Sequence, residues 1–217
     1  MFDWSAITQN SHLIWSGVLI TLEYTVITSV IGLVIGLIVA LMQLNTNKIV
    51  VTVGRLFVEF FRNIPLLVWL LWAYYALPIF MGINISKEAA GILALSLYGA
   101  AYFAEIFRAG IQSIDSGQSD AAVALGMSYR QMNVRVILPQ ALRRMIPPLA
   151  GQMIIQLKNT TLLAVITVPD LLYQAEYIAS FTYRPLEVYT TIALVFLAIL
   201  VPLTYIARRL EQKEVKS

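Results

Sequence analysis

The pattern of hydrophobic positions divides the chain into five long apolar runs separated by short polar segments. The runs cover approximately residues 17–42, 56–80, 89–107, 146–168 and 188–207. An α-helix rises ~1.5 Å per residue, so ~20 residues cross the hydrocarbon core of a bilayer. The pattern therefore predicts a single all-α transmembrane domain over residues 1–217, built from five membrane-spanning helices.

Composition agrees with a membrane protein. Hydrophobic residues make up 59% of the chain and charged residues 12%, and the mean hydropathy is +0.76. A soluble domain carries about twice that share of charged residues, so soluble enzymes and disordered chains are excluded. The chain has no Cys and a single His, His12. We therefore expect neither a disulfide framework nor a metal site.

The distribution of basic residues predicts the orientation of the helices. If the N-terminus lies outside, twelve of the fifteen Lys and Arg residues fall on the inner side. Positive charge accumulates on the cytoplasmic side of membrane proteins, so we expect an N-out, C-in arrangement. The basic residues form short clusters between apolar runs and no basic face of a soluble domain, so no nucleic-acid partner is expected.

Two glycines in the first run, Gly32 and Gly36, stand one helical turn apart. Small residues at this spacing allow another helix to approach closely, although the spacing is also common by chance in membrane helices. The pair is therefore either a packing surface for another helix or a chance occurrence of this spacing.

The longest polar segment, 112–146, has the pattern of two short helices. Asp115 or Ser116 can cap the first helix at its N-terminus, and Gly126 can supply a left-handed turn at its C-terminus. Ser128 can cap a second helix. The segment is either an ordinary connecting loop or a compact knob that docks a soluble partner.

Pro139 marks the expected end of the second short helix, which we predict to reach about residue 136. The residue before a proline is disfavoured in the α conformation, so helices often end there. A separate fourth span is then expected to begin near residue 146.

This segment carries a recognisable motif. Asp120-Ala121-Ala122 is followed by three residues, Gly126, nine residues and the sequence Val-Ile-Leu-Pro at 136–139. The motif resembles the EAA loop of the permease subunits of ABC importers, with Asp in place of Glu and Val in place of Ile. The resemblance implies an ATPase-coupling role for the motif residues, which are Asp120, Ala121, Ala122, Leu125, Gly126, Leu138 and Pro139.

Four further segments, 61–66, 104–111, 117–118 and 157–162, are similar to the polar amino acid uptake family of these permeases, and the resemblance extends over 16–209. It implies the MetI-like permease fold in the bacterial cytoplasmic (inner) membrane. It also implies a second, identical or homologous permease, two ABC ATPase subunits and an extracytoplasmic amino-acid-binding protein. The substrates would be polar amino acids, moved by alternating access.

The chain is not expected to be an enzyme. A phosphate-binding loop requires Gly followed directly by Lys, and no Gly-Lys pair occurs. ATP and Mg would therefore be held by the partner ATPase, and no cofactor is expected in this chain. Two alternative functions stay open. One is an ion-coupled secondary transporter, which the lack of an internal repeat disfavours. The other is a membrane scaffold without transport activity.

Ionisable residues inside the apolar runs cost ~2.5–3.5 kcal/mol each on insertion scales, so they face the bundle interior, a pore or a partner. Glu105 and Arg108 are three residues apart and can pair on a helix. The pair is either structural or part of a gate near the cytoplasmic end. Arg62 is expected to snorkel or to pair with Glu59.

Four consecutive polar residues, Lys158, Asn159, Thr160 and Thr161, interrupt the fourth run. Polar groups at this depth are tolerated where they line a cavity or are buried in protein, so they are candidates for the substrate pathway. Alternatively, the threonines bond back to their own helix and Lys158 snorkels outward.

The pathway residues also suggest the substrate class. A cationic side chain would require a carboxylate in this cluster, because an unpaired buried cation is costly. Some members of the family have Asp at the position of Asn159, and no acidic residue lies in this run before Asp170. Acidic or amide amino acids, namely glutamate, aspartate, glutamine and asparagine, are therefore favoured over arginine, lysine and histidine.

Overall fold

The computed structural model describes residues 4–214, and this part of the chain contains helices and no strand. The helices are α1 (Ser5–Gln9), α2 (Ser11–Gln43), α3 (Lys48–Asn63), α4 (Leu66–Met81), α5 (Lys87–Gln112), α6 (Ser116–Ala124), α7 (Tyr129–Ile166), α8 (Leu171–Thr182) and α9 (Pro185–Glu214). By length and composition, α2, α5, α7 and α9 can each cross a membrane. The prediction of an all-α membrane protein is confirmed.

Helices α2 and α5 pack most closely, and glycines make this possible. A Cβ on Gly36 would lie 2.7 Å from the Cβ of Phe103 and 2.9 Å from the carbonyl oxygen of Ala100. A Cβ on Gly32 would lie 3.2 Å from the Phe103 ring. The glycine pair is therefore a packing surface, as one of the two alternatives from the sequence proposed.

The predicted second span is a broken pair of helices. The chain bends by 101° between α3 and α4, across Ile64 and Pro65. Ile64 is extended because the ring of Pro65 disfavours the α conformation in the preceding residue. The described part of the chain therefore has four helices that can each cross a membrane, and five spans if α3 and α4 together count as one.

The polar residues of α3 follow one face of the helix. Lys48, Thr52, Arg55, Glu59 and Arg62 recur at intervals of three or four residues. Residues at this spacing share one side of an α-helix. This polar face brings Arg55, Glu59 and Arg62 to the wall of a cavity between α3 and α5.

The predicted boundary at Pro139, between the second short helix and the fourth span, is wrong. Helix α7 runs without a break through that position, because a π-helical turn at Asn133–Ile137 precedes the proline. Leu138 donates its N–H to the carbonyl of Asn133, five residues back. A wider turn accommodates a residue that has no N–H and that would clash with the preceding turn of a regular α-helix. The second short helix and the fourth span are therefore one element.

The first short helix has the predicted ends. Asp115 accepts a hydrogen bond from the N–H of Gly117 at 2.7 Å, which caps α6. Gly126 is left-handed, with φ of 72°. Ser128 begins α7 with a capping box, in which its side chain and that of Gln131 bond to each other's backbone N–H.

The junction between α7 and α8 is held by contacts to distant helices. Thr167 is left-handed, with φ of 60°, and its carbonyl accepts a hydrogen bond from Nζ of Lys87 at 2.7 Å. The N–H of Leu171 donates to Oγ1 of Thr21 at 3.1 Å. Asp170 caps α8 and is fully buried, and its Oδ2 has no hydrogen-bond partner among the described residues.

Burial raises the pKa of Asp170, which lies outside the candidate spans, to about 7. The nearby charge of Glu176 raises the pKa further, while the backbone N–H groups of Tyr173 and Leu172 oppose the shift. Because the pKa is higher in the folded state than the unfolded value of about 3.9, the proton stabilises the fold. Stability is then lost as the pH rises from about 4 to about 7.

We predict that Gly36→Ala lowers the free energy of unfolding of the purified protein by about 1–3 kcal/mol, the usual cost of overpacking. Its melting temperature should fall accordingly. The backbone atoms of Ala100 and Ala104 around the new methyl group cannot move aside without separating α2 from α5. Gly151→Ala is the matched control, because a Cβ there meets no atom within 4 Å. Equal melting temperatures of the two variants in detergent would contradict the role of Gly36.

We predict that Asp170→Asn stabilises the protein relative to the parent at pH 8 more than at pH 5. The amide retains the capping oxygen and removes the buried charge, and each pKa unit corresponds to about 1.4 kcal/mol. Asp115→Asn changes an exposed helix cap in the same way and should leave the pH profile of the melting temperature unchanged. A parent and an Asp170→Asn variant with parallel profiles would show that Asp170 does not titrate in this range.

Candidate functional site

A cluster of three charged side chains joins α3 to α5. Arg108 donates from Nε to Oε1 of Glu105 at 3.1 Å and from Nη2 to Oε2 at 2.8 Å. Arg62 approaches the same Oε2 from α3 at 3.7 Å and lies over the ring of Tyr102, 5.3 Å from its centroid. The predicted pair of Glu105 and Arg108 is confirmed, whereas Arg62 contacts Glu105 in place of the expected Glu59.

Two cavities meet at this cluster, and both are lined by Arg62 and Glu105. The first has a volume of about 330 Å³ and lies between the polar face of α3 and the C-terminal half of α5. The second, of about 540 Å³, lies between α5 and α7 and extends to Gln152. Ligand-binding cavities of proteins usually have volumes of this order. The contact of Arg62 with Glu105 therefore stands at the boundary between two cavities large enough for a small molecule.

Three amide side chains form a stripe along α7, which we call the amide stripe: Gln152, Gln156 and Asn159. Positions separated by four and then three residues share one helix face. Gln156 is fully buried and donates from Nε2 to Oγ1 of Thr28 at 3.0 Å and to the carbonyl of Leu95 at 2.9 Å. It therefore bridges α2, α5 and α7.

The other two amides of the stripe have unused donors. Nε2 of Gln152 and Nδ2 of Asn159 are buried and make no hydrogen bond within the described part of the chain. Leaving such a group without a partner costs about 1–3 kcal/mol. Gln152 lines the second cavity and is 5% exposed. An acceptor oxygen placed in this cavity would satisfy the donor of Gln152.

Of the four predicted pathway residues, the structure places Asn159 alone in the stripe. The hydroxyl of Thr160 donates to the carbonyl of Leu157 at 2.7 Å, and that of Thr161 donates to the carbonyl of Lys158 at 2.8 Å. Both threonines therefore bond back to their own helix, as the alternative interpretation proposed. Lys158 is exposed.

Sequence reasoning missed the amide stripe as a unit. Gln152 and Gln156 stand in the apolar run together with Asn159, and their helical spacing was the available signal. The predicted pathway residues, Lys158 to Thr161, were selected because they adjoin each other in the sequence. In a helix, neighbours in the sequence point in different directions, so spacing is the better guide.

The motif residues of the EAA-like segment lie on a small knob formed by α6 and the start of α7. Asp120 is exposed and Ala122 is buried, whereas Leu125 is 80% exposed. Exposed apolar side chains of Val123 and Tyr129 accompany Leu125. The remaining motif residues also reach the surface: Ala121, Gly126, Leu138 and Pro139.

Two polar contacts fix the knob to the helices of the bundle. Nε2 of Gln140 on α7 donates to Oε1 of Gln118 on α6 at 3.1 Å. Arg144 on α7 donates to the carbonyl of Ser113, the residue that caps α5. A displacement of the knob would therefore act directly on α5 and α7, which carry the charged cluster and the amide stripe.

Comparisons with known proteins identify the family. Residues 32–216 match the model of the "Binding-protein-dependent transport system inner membrane component" family. The chain is 38% identical over 212 residues to the probable glutamine ABC transporter permease protein GlnM of Bacillus subtilis (strain 168), covering 96% of this chain and 98% of that protein.

Two further relatives are named for different amino acids. The arginine transport system permease protein ArtQ of Bacillus subtilis (strain 168) is 34% identical, with 97% of this chain and 96% of ArtQ covered. The glutamate/aspartate import permease protein GltK of Escherichia coli O157:H7 is 40% identical, with 78% of this chain and 79% of GltK covered. The relatives therefore share amino acid transport but not one substrate.

Solved structures show the same fold. A chain of an amino acid ABC transporter, whose crystal structure was determined with histidines, is 36% identical with a TM-score of 0.92, and the alignment covers 98% of this chain and 99% of that one. An inward-facing MetNI methionine ABC transporter is 22% identical with a TM-score of 0.76, covering 94% and 97%, which supports the MetI-like fold. The chain therefore belongs to the binding-protein-dependent transport system inner membrane components and is a multi-pass inner-membrane permease of the amino acid ABC transporter type.

Proposed function

We propose that this chain is the permease subunit of an ATP-driven importer that moves acidic or amide amino acids across the inner membrane by alternating access. The observation that carries the substrate class is the amide stripe, in which the buried donors of Gln152 and Asn159 have no hydrogen-bond partner in the described part of the chain. Carboxylate and amide oxygens are the acceptors that these donors lack.

A cationic side chain fits this stripe poorly. Neutral amides offer it no counter-charge, and an unpaired buried cation is costly. Glu105 lines the same cavity as Gln152, but two arginines, Arg62 and Arg108, already balance its single negative charge. Family membership alone does not select the substrate, because one relative is named for arginine and others for glutamine or glutamate and aspartate.

The proposed partners follow from the family and from the knob. A family of binding-protein-dependent components is expected to receive its substrate from an extracytoplasmic binding protein. We expect the knob to face the cytoplasm in the N-out arrangement and to dock on one of two ATPase subunits, which hold ATP and Mg. A second, identical or homologous permease completes the assembly.

The apolar surface of the knob supports this docking. Val123, Leu125 and Tyr129 are 64%, 80% and 79% exposed on the small knob formed by α6 and the start of α7. Exposed large apolar groups clustered on a small surface are typical of interaction sites. Asp120 adds an exposed carboxylate beside them, which a basic residue of the ATPase can bind.

Gly126→Val should preserve membrane insertion and lower co-purification of the ATPase at least about tenfold. Gly126 has φ of 72°, a conformation that a β-branched residue resists, so the turn that presents Leu125 must change. Gly82→Val is the matched control: Gly82 has φ of 66°, and neither glycine has an atom within 4 Å of its Cβ position. If both variants retain the ATPase and transport equally well, the knob is not the docking site.

Uptake by proteoliposomes that contain the complete complex tests the substrate class. We expect ATP-dependent uptake of labelled glutamate or glutamine that excess arginine does not inhibit. Asn159→Asp should lower glutamate uptake about tenfold, because a carboxylate replaces the donor, and should admit arginine. Asn45→Asp is the control, since Asn45 is exposed and its side-chain oxygen accepts from the N–H of Asn47.

Two outcomes of this experiment oppose the proposal. Strong arginine uptake by the unmodified complex would contradict the substrate class. Uptake driven by an imposed ion gradient without ATP would identify a secondary transporter instead.

A further inference from the structure

We propose a second amino acid site in this chain, centred on Arg62 and Glu105 and distinct from the amide stripe. The ligand would be an amino acid with an acidic or amide side chain, bound through its α-carboxylate and α-ammonium groups. The inference rests on the proposed function for the identity of the ligand. Its geometric basis, however, is separate, because the amide stripe and the pair of Arg62 and Glu105 consist of different side chains, although both border the second cavity.

Arg62 has free binding capacity. Its guanidinium is 3.7 Å from Oε2 of Glu105, beyond hydrogen-bond distance, and it makes no hydrogen bond within the described residues. Arg108, in contrast, binds both oxygens of Glu105 and also Gln112. Arg108 therefore fixes Glu105 in place, while Arg62 keeps all five of its N–H donors available. A guanidinium with free donors binds a carboxylate in a bidentate manner.

Glu105 keeps an accessible acceptor opposite Arg62. Each carboxylate oxygen has two lone pairs, and Arg108 uses one position on each. The remaining position on Oε2 faces Arg62 across 3.7 Å. An α-amino acid carries one carboxylate and one ammonium group on a single carbon. It can therefore insert so that its carboxylate binds Arg62 and its ammonium binds Glu105.

The first cavity provides groups for the ligand's side chain. Its walls carry three arginines, Arg55, Arg62 and Arg108, against two carboxylates, Glu59 and Glu105. A cavity with one excess positive charge complements a ligand with two carboxylates and one ammonium group. The volume of about 330 Å³ is sufficient for one amino acid.

Gln43 adds a buried amide to the wall of this cavity. It lines the cavity and is 9% exposed, and its side chain faces the carboxylate of Glu105. Its Nε2 makes no hydrogen bond of good geometry within the described residues. A buried donor in this state costs about as much as a lost hydrogen bond. A ligand carboxylate or amide oxygen in the cavity would satisfy it. Two unpartnered amides, Gln43 and Gln152, thus flank the charged cluster from its two cavities.

The position of the site indicates its role. Arg62 and Glu105 line both cavities, so an amino acid that moves from Gln152 into the first cavity would meet both side chains. In the expected orientation, this is the direction of the cytoplasm. The second site would therefore receive the substrate after it leaves the amide stripe and would also bind amino acid from the cytoplasm.

Equilibrium binding of labelled L-glutamate to the permease–ATPase complex in nanodiscs tests the inference, without binding protein or nucleotide. We expect two sites for each permease chain. Arg62→Gln should weaken one site at least about tenfold, because a charge-assisted bidentate contact is lost. Arg62→Lys, which retains the charge but not the fork of donors, should have an intermediate effect. Gln152→Leu should weaken the other site alone.

Two controls separate the ligand chemistry from general effects of charge. Arg143→Gln removes an exposed arginine that lines neither cavity and should leave both sites unchanged. Glutarate has two carboxylates and no ammonium group, so it should compete at least about tenfold more weakly than glutamate at the Arg62 site.

The results distinguish this inference from the proposed function. One site that Gln152→Leu weakens and Arg62→Gln does not would overturn the second site and leave the amide stripe in place. Equal competition by glutarate and glutamate would overturn the role of Glu105. If neither glutamate nor glutamine binds to the complex, both the second site and the proposed substrate class are wrong.

Discussion

The close approach of α2 and α5 at Gly36 is the contact on which the other features of the bundle depend. It brings the hydroxyl of Thr28 on α2 and the carbonyl of Leu95 on α5 near enough for one side chain, Gln156 of α7, to donate to both. A single amide cannot bridge two helices that stand a side chain further apart. The position of α7, and with it the amide stripe, is therefore set by the absence of a Cβ at a distant site. Gly99 contributes in the same way, because its Cβ position lies only 3.0 Å from Oε1 of Gln156.

Polar groups inside the bundle fall into two kinds that differ in how well they are satisfied. The bond of Arg108 to Glu105 is bidentate, and Thr160 is satisfied within its own helix. Such groups hold the structure together at little cost. The amides of Gln152 and Gln43 have buried donors with no hydrogen-bond partner among residues 4–214. In a low-dielectric interior an unpaired donor is costly, and a cavity lies directly beside each of the two. Gln152 and Gln43 therefore combine an unsatisfied donor with a cavity, which makes them candidates for contacts with a ligand.

Local signals predicted local structure well and tertiary contacts poorly. The caps at Asp115 and Ser128 and the left-handed Gly126 depend on a few adjacent residues, and all three are confirmed. The continuity of α7 through Pro139 was not predictable from proline chemistry alone, because the π-helical turn that accommodates it is a property of the folded helix. The partner of Arg62 was missed for a related reason. Glu59 is its neighbour on α3, whereas Glu105 comes near only when α3 packs on α5.

The chemistry of the two cavities has a consequence for transport. A carrier must bind its substrate strongly enough to select it and weakly enough to release it, as in other membrane pathways. Neutral amides such as Gln152 bind carboxylates with single hydrogen bonds of modest net strength. Contacts of this strength can select a substrate and still release it. A free arginine alone would bind a carboxylate more tightly. At the proposed second site that attraction would be divided, because Glu105 competes with the ligand for the guanidinium of Arg62. The ion pair reforms when the ligand departs, so the contact that closes the boundary between the cavities also lowers the free energy of the released state.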